Sequence, residues 1–111
     1  MSDSENIIDI ADYRDKRVIF TQKKLDEKSE EHPELRRTKF LKNIERVIAD
    51  PEVVWEDYAD RKNRRCYYGK YSKNTYIKVV IWIKSTPCRV ITAYEIDKVK
   101  EENYTGLKQI I

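Results

Sequence analysis

Residues 61–94 hold nine Lys or Arg and six aromatic side chains but no acid. Cations and aromatic rings without carboxylates suit one chemistry well, the metal-free cleavage of RNA. RNA carries its own nucleophile, the 2′-hydroxyl. A protein acting on it needs a base to take that proton, an acid for the departing 5′-oxygen, and cations around the phosphorane. Histidine, tyrosine, lysine and arginine are enough, and the chain's single histidine is His32. A two-metal nuclease is not expected, because the stretch has no clustered carboxylates to hold the ions. No Gly-rich phosphate loop, GxSxG elbow, HExxH helix or paired-cysteine zinc pattern occurs, and two glycines leave little material for one. Neither a cofactor nor a metal is expected.

The same stretch reads as a binding surface. Arg61, Arg64, Lys70, Lys73, Tyr76, Trp82 and Tyr94 interleave charge with rings, the pattern by which nucleic-acid platforms contact phosphates and stack bases. Charge distribution points the same way. Residues 1–60 carry 11 basic and 16 acidic side chains, net −5, and residues 61–111 carry 12 and 4, net +8. A basic face concentrates polyanions near it, so RNA is the expected partner.

Secondary structure has to bring these side chains onto one surface. Residues 76–84, YIKVVIWIK, are β-branched and aromatic and predict a long strand. Ile77, Val79, Ile81 and Ile83 make its core face. Tyr76, Lys78, Val80, Trp82 and Lys84 make the other, which two amines should keep from full burial. After a turn at Thr86 and Pro87, residues 89–96 predict a second strand with Ile91 and Ala93 on the core face and Val90, Thr92 and Tyr94 on the open one. Residues 65–68 predict a third, with Cys66 inward and Arg65 and Tyr67 outward. A helix is predicted from an N-cap at Thr21 to about residue 31, ended by His32-Pro33, since the residue before proline is pushed out of helical geometry. A second helix is predicted over about 34–49, where Leu41, Ile44, Val47 and Ile48 share one stripe. Residues 17–20 and 53–55 are short strand candidates, and 58–64 and 69–74 read as turns. The tail, 97–111, offers Tyr104, Leu107, Ile110 and Ile111 for a last edge strand.

Residues 1–15 are expected to form a flexible arm, whose Ile7, Ile8 and Ile10 are suited to adding an edge strand or docking on a partner. Residues 16–111 are expected to form a single domain, a size that allows one core. The fold class is α+β: one or two N-terminal helices on one face of a four- or five-stranded, mostly antiparallel sheet, with the opposite face open. No apolar run approaches the ~20 residues that cross a bilayer, and the N-terminus lacks a basic-then-apolar signal, so a cytoplasmic location is expected. Cys66 and Cys88 are expected to remain reduced there.

The sequence EHPELRRTKFLKNIERVIADPEVVW, followed by RRCYYGKY, YIKVVIWIK and RVITAYEIDKVK, resembles the phage-type domains of the barnase, EndoU, colicin and RelE-like nuclease superfamily. In that superfamily a His-Pro-Glu element precedes a helix, a turn after proline leads to a strand with paired tyrosines, and a Val-Thr-Ala-Tyr strand closes the motif. The resemblance spans about residues 20–100. It departs at Glu52, where Asp is commoner, and at Gly69, where members often carry a basic residue. The resemblance implies a metal-independent, toxin-like endoribonuclease of a phage or mobile element, with a cognate antitoxin or immunity protein as a partner. It implies His32 as general acid or base, Arg65 and Lys78 as phosphate clamps, and Thr92 as a polar contact. Tyr67 would stack a base or donate a proton.

Each residue also has a purely structural reading. His32 suits a helix C-terminal cap, Lys78 can snorkel from a half-exposed strand, and Arg65 can pair with acids of the N-terminal half. The rings can simply close the sheet surface. A non-catalytic module that binds nucleic acid or an acidic protein through the same face stays open. So does a homodimer that buries that face, the chain otherwise being a monomer.

Overall fold

Alternating side chains fix which face of a strand is buried, and a helix with one apolar stripe covers that face. The computed structural model of the protein, which describes residues 5–111, is built on this plan. Its strands are β1 (Asn6–Ala11), β2 (Arg17–Thr21), β3 (Val53–Asp57), β4 (Asp60–Ser72), β5 (Thr75–Trp82) and β6 (Cys88–Ile96). Its helices are α1 (Gln22–Lys28) and α2 (Thr38–Ala49), and 3₁₀ turns span Pro33–Arg36 and Lys100–Asn103. The six strands form one mixed sheet in the order β1-β2-β6-β5-β4-β3, in which only β2 and β6 run parallel.

The stripe of α2, Phe40, Ile44, Val47 and Ile48, is buried against Ile8, Val54, Tyr67, Ile77, Val79 and Ile81. Each such side chain contributes about 1.5–3 kcal/mol on leaving water. The approach is close. A Cβ on Gly69 would lie 2.7 Å from Val47 Cγ2, so β4 must be bare beneath the helix. That explains the departure at Gly69, whose position faces the helix and not solvent.

Thr21 caps α1 as expected, its hydroxyl accepting the Lys24 N–H at 3.2 Å. The helix buries only Leu25 and ends at Lys28. Pro33 then opens the first 3₁₀ turn, and His32 before it is non-helical (φ −129°, ψ 81°). β2 pairs with β6 only at Val18–Cys88 and Ile19–Arg89, which leaves the rest of that β6 edge to α1 and this turn. Glu34 seals the edge there, its carboxylate accepting the Glu95 N–H at 3.1 Å.

Several expectations are corrected, while those for the two cysteines and for the tail are met. The sheet has six strands, not four or five, because the presumed arm contributes β1, with Ile8 in the core; residues 1–4 lie outside the described residues. β4 runs for 13 residues and takes in most of both segments read as turns, which shrink to 58–59 and 73–74. Its polar composition hid it, yet β3 and β5 on either side satisfy its backbone, so local propensity is overridden. Cys66 and Cys88 are both free, on strands separated by β5. The tail adds along β3, where the Ile110 N–H donates to Val54 O at 2.7 Å and the Glu56 N–H to Lys108 O at 3.0 Å. The face expected to be open is partly covered: the second 3₁₀ turn buries Val99 and Glu101 over Cys66, Tyr68 and Val80.

Candidate functional site

The register of β5 and β6 pairs Lys78 with Tyr94 and Val80 with Thr92, placing all four on the face away from α2. His32 reaches this face around the β6 edge. Its ring stacks on Tyr94 with centroids 4.5 Å apart and planes at 16°. On the same ring, the Lys78 amine lies 5.9 Å from the centroid. His32, Tyr94 and Lys78 therefore form a continuous row, and Thr92 Oγ1 lies beside it, buried and with no hydrogen-bond partner among the described residues. The sequence could not anticipate that Tyr94 would be the link between His32 and Lys78.

Lys78 is less available than a phosphate clamp should be. Only 6% exposed, it places Nζ 2.7 Å from Glu101 Oε2, and the Tyr68 hydroxyl donates to Glu101 Oε1. Burial works against the amine's charge, but the neighbouring Cys66 sulfur and Glu101 carboxylate outweigh it and hold Lys78 above its usual value. The amine is charged and committed. Burial, together with Glu101, likewise pushes the Tyr68 phenol up. Burial pushes the Cys66 thiol up as well, so Cys66 is an inert core side chain.

Tyr67 and Arg65 are not with Lys78, contrary to expectation. β4 pairs Tyr67 with Val79 and Arg65 with Ile81, which puts both on the α2 side, while Cys66 and Tyr68 take the other side. The apolar Cys66 had been assigned inward, and reading the strand from that residue inverted its faces. Tyr67 is fully buried, donating to Asp12 Oδ2 at 2.7 Å. Arg65 donates to the carbonyls of Arg61 and Arg64 at 2.8 and 2.9 Å. A base-stacking Tyr67 and a phosphate-clamping Arg65 thus have no place in the Lys78 row.

Asp12, in the presumed arm, was missed. Its buried carboxylate accepts from Tyr67, from the Arg14 and Lys16 backbone at 2.8 and 3.0 Å, and from the Arg14 guanidinium at 3.0 and 2.8 Å. Burial alone would raise its pKa. Donors from Tyr67, Arg14 and Lys16 reverse this and hold the carboxyl below the ordinary range. The Tyr67 phenol is pushed up, by burial first and then by Asp12.

The remaining cationic and aromatic candidates divide between the two ends of the face. Lys70, Lys73 and Tyr76 line a cleft of about 370 Å³ together with Lys98, and Asp97 and Glu102 temper its charge. Lys70 Nζ sits 4.7 Å over the Tyr76 ring, and Tyr76 is edge-on to Tyr68 at 6.3 Å. The cleft therefore adjoins the Lys78 row. At the far end, β4 and β5 pair Arg64 with Trp82; Arg64 lies 3.8 Å from Asp57, and Arg61 donates to Gly106 O at 3.3 Å. Lys98 and Glu101 were not singled out from sequence, since nothing local distinguishes them from a solvated charged tail. Among the described residues no three His, Cys, Asp or Glu side chains cluster as metal ligands would, and no helix is long and apolar enough to cross a membrane.

Compared with known proteins, residues 4–109 match the family model described as phage-Barnase-EndoU-ColicinE5/D-RelE like nuclease 2. The match includes β1 and the Asp12 turn, beyond the motifs visible by eye. No curated protein and no solved structure matches the chain.

Proposed function

The chain belongs to the phage-Barnase-EndoU-ColicinE5/D-RelE like nuclease 2 family, a family of phage-associated nucleases, and on that premise we propose that it is a metal-independent endoribonuclease. The observation that carries this reading is the row His32–Tyr94–Lys78 on the basic, aromatic face. In it the imidazole takes the 2′-hydroxyl proton, the 2′-oxygen attacks phosphorus, and the bond to the 5′-oxygen breaks. That oxygen leaves with a proton returned by the imidazole, so the products are a 2′,3′-cyclic phosphate and a 5′-hydroxyl end. Tyr94 keeps the imidazole plane fixed. Lys78 and the Thr92 hydroxyl face the charge that develops on the phosphorane. Lys70, Lys73, Tyr76 and Lys98 hold flanking nucleotides through phosphate contact and stacking.

The test is cleavage of a labelled, mixed-sequence single-stranded RNA in EDTA at low salt. The expected result is cyclic-phosphate ends from the wild type and a rate lower by about 10²–10⁴ for His32→Ala, as for the loss of a general acid–base group. Undiminished cleavage by His32→Ala would remove the imidazole from the reaction.

The burial of Lys78 under Glu101 favours a second reading, in which the face binds RNA through its exposed lysines without cutting it. Retention with a steep salt dependence and no product is its signature. A toxin-like role, with an antitoxin or immunity protein as an acidic partner, follows from either reading. It predicts growth arrest on expression in a bacterial host, relieved by His32→Ala under the first reading only.

A further inference from the structure

Lys78, which the proposed reaction sets against a phosphate, is paired in the structure with Glu101. The two Glu101 oxygens are held separately, Oε2 by the Lys78 amine at 2.7 Å and Oε1 by the Tyr68 hydroxyl, with only 1% of the residue exposed. A cation and a hydroxyl donor converging on two oxygens of one anion would serve a phosphodiester equally well. The carboxylate comes from a weakly anchored element. The second 3₁₀ turn has four residues and no side-chain cap, and apart from Glu101 itself its anchors are the buried Val99 beside it and the Lys100 backbone N–H on the Tyr68 hydroxyl. Asp97, Lys98, Lys100, Glu102 and Asn103 around it are exposed. The same segment is a wall of the cleft lined by Lys70, Lys73, Tyr76 and Lys98, so it stands between that cleft and Lys78.

We infer that this segment is a gate: Glu101 fills an anion site formed by Lys78 and Tyr68, and a phosphate of single-stranded RNA takes that site when the turn lifts. The inference rests on reading this face as the RNA site. Opening without a ligand would break the Lys78–Glu101 pair with only water in its place and expose Val99, which is costly. Exchange of one anion for another avoids the first of these losses, since Lys78 stays paired throughout. The gate therefore responds to the polyanion by differential affinity and stays closed without it.

Two measurements test this together. The first is amide hydrogen exchange of the wild type with and without 2′-O-methyl RNA, which lacks the nucleophile and stays intact. The second is retention and cleavage of ordinary RNA by Glu101→Gln, which keeps the shape of the side chain, alongside Glu102→Gln as the control for loss of one negative charge on the same turn. The expected result is exchange at residues 100–103 at least threefold faster with RNA bound, as residues 70–78 become protected. Glu101→Gln is expected to hold RNA at least tenfold more tightly than Glu102→Gln, a gain that a further Lys78→Met change abolishes. RNA activity appearing only in Glu101→Gln would also support the gate. If the wild type holds or cuts RNA while exchange at 100–103 is unchanged or slower and Glu101→Gln matches Glu102→Gln, the gate is overturned and the RNA reading survives. If no variant holds or cuts RNA, both fall. Should Glu101→Gln fail to fold, the exchange measurement on the wild type decides alone.

Discussion

Tyr67 and Tyr68 are neighbours on β4, yet they serve opposite faces of the sheet, and each phenol donates to a buried carboxylate. Their settings differ in kind. Asp12, the acceptor for Tyr67, sits in the turn between β1 and β2 and also takes two backbone N–H groups and the Arg14 guanidinium. Glu101, the acceptor for Tyr68, is held by side chains alone and arrives on a short turn near the end of the chain. One tyrosine–carboxylate pair is welded into the fold. The other closes over a lysine and can be exchanged for another anion. Similar local chemistry yields a structural clamp in one place and an occupied site in the other, because backbone donors fix an acid in a way that side-chain donors do not.

The largest expected effect comes from breaking the welded side. Asp12→Ala strands the Tyr67 phenol in the core and frees the turn, and should lower unfolding free energy by about 3 kcal/mol in urea denaturation. Its pH dependence follows from sign. Asp12 titrates below its unfolded value near 3.8, so the stability it contributes is complete above that value and is lost as pH falls through the lower, folded one. Asp12→Asn should therefore flatten the acid limb of the stability curve and leave its slope near neutrality unchanged. A wild-type curve already falling at pH 6 would contradict this account.

Next in size is Gly69→Ala. With Val47 Cγ2 2.7 Å from the new Cβ, the substitution should cost about 2 kcal/mol through displacement of α2, read from the same denaturation curves. The paired test is Tyr67→Phe against Tyr68→Phe. Tyr67→Phe should cost about 1–2 kcal/mol and leave RNA retention unchanged, since it lies behind the sheet. Tyr68→Phe should cost a similar amount but alter RNA retention, because it frees one oxygen of Glu101. Equal effects on retention would erase the contrast between the faces. The smallest effect is on α1, which buries only Leu25: Thr21→Ala should cost about 1 kcal/mol through loss of the cap, with no change in cleavage.

Some of this was legible in the residues. The stripe of α2, the cap at Thr21, the break before Pro33, and the alternation of β5 all follow from local rules. Those rules also placed Lys78, Thr92 and Tyr94 on one face. In β6, however, an irregularity opposite Val80 and Ile81 puts Val90 in the core and Ile91 on the other face, the reverse of strict alternation. The strand β4 shows where local rules stop. DRKNRRCYYGKYS contains too few apolar residues to declare which face is buried, and its face assignment was read from one cysteine and came out inverted. Likewise nothing in Asn6–Ala11 says that it will pair with β2, since an apolar patch of that length serves an arm as well as an edge strand.

The sequence by itself determined the α+β class, the basic, acid-free composition of the central strands, and a family resemblance strong enough to single out His32 and Lys78. Those depend on periodicity, charge and short motifs, which act over a few neighbouring residues. Only the tertiary structure decided that Tyr67 and Arg65 lie behind the sheet, that Tyr94 joins His32 to Lys78, and that Glu101, 23 positions beyond Lys78, is its counter-ion. Register between strands and the return of a distant tail are set by packing the whole core, and no local pattern encodes which charge will meet which.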